Sequence, residues 1–569
     1  LNRWVTEPEH SQESRREAHE KVADVQGSDG SRGVDGERST KHPRRHGLSV
    51  PASIGESDDQ SARSISRRGL IGAVSLVSLA VGNLAAPHRG AVGRSVTSDA
   101  DFPSLEAALM ATTAGGVLEI RTPHRRETAF VVDKPATIRF LERGSIRVST
   151  SSAAAIVISS SDVWLDRPVV RGPGGGAIGE GDGIRAVGTA DAPLRRIHVL
   201  GPRVSEFPKH GILLEHVHAF SISDLDIRRC GYAGVMLLSA VNGTVARGLV
   251  QDVLQPEGYP NSYGVAVSRR STGSITGSAP RSRDVLVERV TVDGVRAWEG
   301  LDSHAGENVT FRGNSIYNSR TGIAVVGSKD QTGGAVYAPI NCHVLDNTLD
   351  SGTGDGTAGR GIVFAGAADS LGEPTELATG RVAGNVVRGY GEEASPAGAS
   401  IQVYGSAGVS VADNILIDSG SSAIDFYHDN YGAKATGNTI IDVWTNSASM
   451  CSAVTVRSAH NRLVISGTTI VRQGKQANKI NDRGLTIAAD PTNVVLDGGG
   501  NDWASATTYP TVGDAVTSEF RSFAKKTGFN GVTAVPRADL IPSPNADSAD
   551  LKAAVDSIRR VLASVGLTR

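Results

Sequence analysis

The sequence predicts an all-β chain wound as a right-handed parallel β-helix, a solenoid with an N-terminal helical cap and a short C-terminal helical arm. Three observations carry that prediction. First, one short phrase recurs between Gly183 and Leu485: a small residue, an aliphatic residue, then alternation, as in Gly211-Ile212, Gly264-Val265, Gly300-Leu301, Gly361-Ile362 and Ala423-Ile424. Its copies stand 22 to 39 residues apart, the range of stacked supersecondary units that cannot bury an apolar face alone. Second, the phrase continues with period 2 (Val265-Ala266-Val267, Ile401-Gln402-Val403), which marks strand and not helix. Third, Asn314, Asn347, Asn385, Asn414 and Asn438 each stand two residues before an aliphatic. One such Asn per coil predicts a structural ladder at a turn.

Composition agrees. The 569 residues include 67 Gly, and aromatics make up only 5%. A net charge of −2 gives no footing for nucleic acid. Cys230, Cys342 and Cys451 lie far apart, with neither metal spacing nor a disulfide framework, and read as buried thiols.

In chain order, residues 1–60 are polar and without apolar period, and read as disordered. Residues 61–90 contain Arg67-Arg68 followed by an apolar run to about Ala86. That pattern resembles a Tat export signal, which implies a secreted protein with no membrane contact after export; a single anchoring helix is the alternative. Asp101 to Met110 reads as a short helix capped by Asp101, with Leu105, Ala108 and Leu109 on one face. Gly115-Gly116 then leads into a first strand, Val117–Ile120. The β-helix is expected over 95–500. The segment 501–569 is read as a cap or arm, with helices over Val516–Lys526 and about 549–565.

In the repeated phrase, the second and fourth residues after the small one face away from the core. Most of them are aliphatic or small. Two places are ionisable. One is Asp302 and His304 in Glu299-Gly300-Leu301-Asp302-Ser303-His304, with Trp298 before it and Ala266, Ser268, Ala324 and Val326 on the flanking coils. Arg269, Arg270 and Lys329 follow the strands on either side. An imidazole beside a carboxylate, with cations near, suits removal of a proton next to a uronate carboxylate. The other place gathers Gln402, Tyr404, Asp425, Tyr427 and Arg457, a mixture suited to sugar binding. Asp425 lies four coils, roughly 19 Å, from Asp302, too far to form one acid/base pair with it. Glu215, His216 and His218 do not share a face and are not read as metal ligands. No metal site is assigned and no cofactor is required; calcium at the acidic turn Asp350–Asp355 is an open possibility.

The helix, Gly-Gly and first strand resemble the opening of the pectate-lyase-like β-helix superfamily. Gly300-Leu301-Asp302-Ser303-His304, with Lys329 one coil on, is similar to the active-site coil of alginate (mannuronan) C5-epimerases, whose motif is Tyr-Gly-Phe-Asp-Pro-His. The resemblance implies the family's Asp and His roles for Asp302 and His304, and places Lys329 near its basic residue. Glu299 stands where the family has Tyr, and Ser303 where it has Pro, so Tyr263 becomes a substitute proton donor. The expected function is action on a polysaccharide at C5 of a uronate, by epimerisation or β-elimination. The alternatives are a glycoside hydrolase or glycan transferase using Glu299 and Asp302, and a non-catalytic glycan-binding or adhesion protein. The expected partner is the polysaccharide, with the chain a monomer or homotrimer.

Overall fold

The computed structural model describes residues 95–502, apart from 331–333, 353–358, 367–374, 392–397, 444–451, 472–483, 489 and 491, together with the backbone of 511–512 and 519–522. The polar segment, the twin-arginine stretch, most of the acidic turn at 350–355, Cys451 and the last helix read from the sequence lie outside the described residues. No described helix is long and apolar enough to cross a membrane.

The described chain is a right-handed parallel β-helix. One wall is a sheet of fourteen strands in strict chain order, from Phe130–Val132 to Thr511–Val512. Each strand pairs in parallel with its neighbour one coil away, so that Ile212, Val235, Val265, Leu301 and Ile323 stand in one register column. The remaining walls are a bent sheet of twenty-seven strands. A small antiparallel hairpin, Ser328–Lys329 with Val336–Tyr337, projects from one coil.

Burial follows the phrase. Ile212, Val235, Val265, Leu301, Ile323, Ile362, Ile401 and Ile424 are all fully buried. Each such side chain contributes about 1.5–3 kcal/mol of transfer free energy. The small residue before each aliphatic is required by space. A Cβ at Gly211 would lie 2.5 Å from Ile227, at Gly264 2.5 Å from Val292, and at Gly300 2.6 Å from Ile316, each on the facing wall. That position therefore points inward, as does the aliphatic after it. Two successive inward residues turn the residue before the glycine onto the outer face.

The Asn ladder forms as expected. The Asn347 Oδ1 accepts from the backbone and side-chain nitrogens of Asn314, both at 2.9 Å. The pattern repeats through Asn385, Asn414 and Asn438. A second ladder, Asn430–Asn461–Asn493, runs beside it.

The N-terminal helix spans Leu105–Ala111, with Leu105, Ala108 and Leu109 buried. Its cap is Ser104, whose Oγ accepts from the Ala107 backbone N–H at 3.1 Å, and not Asp101. Asp101 belongs to a preceding 3-10 turn, Asp99–Asp101. At the other end, Glu519–Ser522 is a strand in register with Val494–Asp497. The helix expected over Val516–Lys526 is therefore replaced by a further stacked strand, and the solenoid continues past residue 500.

Candidate active site

The strand Glu299–His304 lies between Tyr263–Ser268 and Thr321–Val326 in the long sheet. Leu301 and Ser303 point into the solenoid; Asp302 and His304 point out. Glu299 joins them because Gly300 takes the inward position. The three residues bring one ligand atom each to within 4.8 Å of one another. Asp302 stands in register between Ala266 and Ala324, so no larger neighbour separates it from the other two.

The depression expected over Asp302 is closed. Asp302 has no exposed surface, whereas Glu299 and His304 are both partly exposed, with 31% of the His304 side chain accessible. The His304 Nδ1 lies 3.2 Å from the Gly327 carbonyl. A carbonyl only accepts, so Nδ1 carries a proton. Nε2 sits 3.3 Å from Asp302 Oδ1, without the alignment of a hydrogen bond. Burial pushes the Asp302 carboxyl well above the usual carboxylate range. Glu299 is also pushed well up, by burial first and then by the Asp302 carboxylate beside it.

Apolar surface flanks this centre on both sides. Towards the N-terminus, Leu213, Ala233, Met236, Tyr263 and Ala266 form a buried patch with Tyr232, Leu238 and Trp298 packed on it. Towards the C-terminus, Ala324, Val326, Val363, Ala365 and Tyr404 form another, with Tyr427 against it. Trp298 thereby walls the centre, and the Arg320 guanidinium stands 5.8 Å from its ring centroid. Tyr263 pairs with Glu299 in register. Its hydroxyl accepts from the Asn261 amide at 3.0 Å, and burial pushes its pKa well above the ordinary phenol value.

The expected cations are elsewhere. Arg269 is 4% exposed and donates to the carbonyls of Ala279 and Gly273, to Ser328 Oγ and to Asp330. It ties the 270–280 loop to the hairpin and does not face the centre. Arg270 forms a two-pronged pair with Glu215, which also accounts for Glu215 without a metal. Lys329 is exposed on the hairpin. Two cations that the sequence reading missed stand beside Trp298 and Glu299. Arg320 is stacked on Trp298, and Arg360 stands in the Glu299–Thr321–Arg360 column, where its charge acts on Glu299.

The second polar place is a brace. Asp425 has no exposed surface. It accepts from Gln402 Nε2 at 2.8 Å and from Arg457 Nη2 at 2.6 Å. The Arg457 guanidinium in turn lies 4.1 Å from the Tyr427 ring centroid, and Tyr404 meets Tyr427 edge-on at 5.9 Å. Asp425 is therefore spent on its neighbours; Tyr427, His428 and Arg457 present the surface here.

A third place was not foreseen. Asp182, fully buried, meets His210 Nδ1 at 2.8 Å and Arg185 Nε at 2.5 Å. Burial pushes Asp182 up, but these two partners outweigh it and hold the carboxyl below its ordinary value. Tyr232 links His210 to Tyr259 and Tyr263 through ring contacts of 5.3–5.6 Å. The signal lay one residue before each small residue of the phrase: Asp182, His210, Tyr263 and Glu299 are one outward column.

Fold and site together define a solenoid with a polar, partly buried acid–imidazole centre on an apolar track. No family model matches the sequence, and no curated protein matches it. Solved structures are similar in chain path. The catalytic unit of a GH87 alpha-1,3-glucanase from Streptomyces thermodiastaticus aligns over 74% of this chain and 71% of its own, at 15% identity and a TM-score of 0.42. A tailspike protein of E. coli bacteriophage HK620 aligns over 68% of this chain and 72% of its own, at 14% identity and a TM-score of 0.47. Likenesses this distant assign no residue, substrate or activity here.

Proposed function

We propose that the protein is a carbohydrate-active enzyme that lays a polysaccharide along the outer face of the fourteen-stranded sheet and reacts at C5 of a uronate over His304. The observation that carries this reading is the partly exposed His304, its Nδ1 proton tied to Gly327 and its Nε2 standing 3.3 Å from Asp302, which is sealed from solvent. In the reaction, Nε2 takes the C5 proton, and the Asp302 side stabilises the imidazolium that forms. Charge building on the uronate carboxylate is met by cations at the rim, for which Arg320 and Arg360 take the place of the expected Arg269 and Arg270. Return of a proton to the other face gives epimerisation; loss of the O4 substituent gives β-elimination. The apolar patches on either side offer the flat surface that sugar rings stack on.

Hydrolysis by Glu299 and Asp302 fits less well. Inverting enzymes hold their carboxyls roughly 6.5–9.5 Å apart to admit water, whereas these two crowd within 4.8 Å. A retaining mechanism needs a nucleophile that touches the sugar, and Asp302 is closed to it.

The test is incubation with alginate, pectate, glucuronan, and neutral fructans and glucans. Absorbance rising at about 232 nm reports an unsaturated uronate and hence a lyase. Altered C5 stereochemistry without cleavage reports an epimerase. Release of neutral sugars alone would sink the proposal in favour of hydrolysis, and binding without turnover would favour an adhesion protein.

A further inference from the structure

We infer that Glu299, Asp302 and His304 also form a binding site for one divalent transition-metal ion of the zinc or manganese kind, and that an ion held there blocks the reaction at His304. Two carboxyl groups and an imidazole nitrogen converge to within 4.8 Å, and each, once deprotonated, offers a lone pair to a metal ion. Both Asp302 oxygens and Glu299 Oε2 are buried without a hydrogen-bond partner among the described residues. The Nδ1 of His304 lies against the Gly327 carbonyl, which leaves Nε2, 3.3 Å from Asp302 Oδ1, as the ring atom placed to ligate an ion.

The other buried carboxylates of this outer face are treated differently. Asp182 is met by Arg185 and His210, Glu215 by Arg270, and Asp425 by Gln402 and Arg457. Each is given donors. Among the described residues of this face, the Asp302 oxygens and Glu299 Oε2 converge with His304 and are given no donor, and a cation held between them takes the place of one. The imidazole is also set up as metal-binding histidines are, with its second nitrogen donating to a backbone carbonyl. One nitrogen and two oxygens suit zinc or manganese; calcium and magnesium take oxygen ligands. An ion held there occupies Nε2, the atom the proposed reaction needs.

Binding of the ion does not depend on the glycan reading; its effect on turnover does. The experiment is calorimetric titration of the full chain with zinc chloride in chelator-stripped, phosphate-free buffer, beside thermal melts with and without zinc. Wild type is expected to take up one more zinc than His304→Ala or Asp302→Asn, and zinc raises its melting temperature but not theirs. Histidines outside the site count equally in every variant. Should Asp302→Asn fail to fold, Glu299→Gln and His304→Ala carry the comparison. Equal zinc uptake and equal melting shifts in wild type and variants overturn the inference and leave the proposed reaction standing. Conversely, a site-specific zinc that raises turnover on a uronate polymer keeps the site and overturns both the block and the His304 reading.

Discussion

Asp302 is the residue on which the chemistry turns, and it is costly to the fold. A carboxyl raised by burial keeps its proton in the folded chain where the unfolded chain has released it. Stability is therefore intact below the unfolded pKa and falls as pH rises through the folded one. In metal-free buffer at neutral pH, Asp302→Asn is expected to melt higher than wild type while losing activity; a lower melting temperature would show that the carboxyl is favourably held. His304→Ala is expected to lose about 10²–10⁴ of kcat, the usual range for a general base, with circular dichroism unchanged. Cys230 and Cys342 have thiols pushed up to about 12 by burial. Both should stay unlabelled by a thiol reagent in the native protein and react on denaturation, as read by peptide mass mapping. Sequence alone placed Asp302 and His304 correctly on one outward face, because period 2 is local. It misjudged Arg269 and Arg270, whose partners Asp330 and Glu215 come from other coils and cannot be seen from spacing.

At the scale of the element, the repeated phrase and the Asn ladder set the coil. Gly300→Ala drives a Cβ against Ile316 and the Gly322 carbonyl and is expected to cost about 1–3 kcal/mol, as overpacked cores do. Replacing Asn385 by Ala strips partners from Asn347 and from the Val344 carbonyl. Each unpaired buried group costs about 1–3 kcal/mol, so denaturant unfolding should show a loss of several kcal/mol, well beyond a surface Asn→Ala change. Asp99 secures the first coil by accepting from the backbone of Arg121 and Thr122 and from His124. Burial pushes its carboxyl up, but those hydrogen bonds outweigh it and hold it below the ordinary value. Its contribution is present above the unfolded carboxylate pKa and is lost as pH falls through the folded one. An acid melt of Asp99→Asn should accordingly be flatter than that of wild type. The first ladder was legible because its Asn residues precede aliphatics at a constant offset. The ladder through Asn430, Asn461 and Asn493 was missed although Asn461 and Asn493 also stand two residues before an aliphatic, Leu463 and Val495; Asn430 precedes Gly432 and breaks the column. The helix expected over Val516–Lys526 failed because two phenylalanines three apart, Phe520 and Phe523, set no firm period, and pairing of Glu519–Ser522 with Val494–Asp497 decided that stretch as strand.

For the whole molecule, stacking converts short repeats into one continuous outer face. Three polar places stand along it, each about four coils from the next, with apolar and aromatic surface between them. Among the described residues of the three, the middle one leaves its carboxyl oxygens without donors, and the proposed reaction is placed there. The central claim is that His304 removes the C5 proton of a uronate. Proton NMR of alginate, pectate and glucuronan incubated with the protein in deuterium oxide tests it most directly. The account predicts that the C5 proton signal of one polymer is lost with wild type and kept with His304→Ala. Turnover of a glycan with its C5 protons retained, or unchanged loss in the variant, would contradict it.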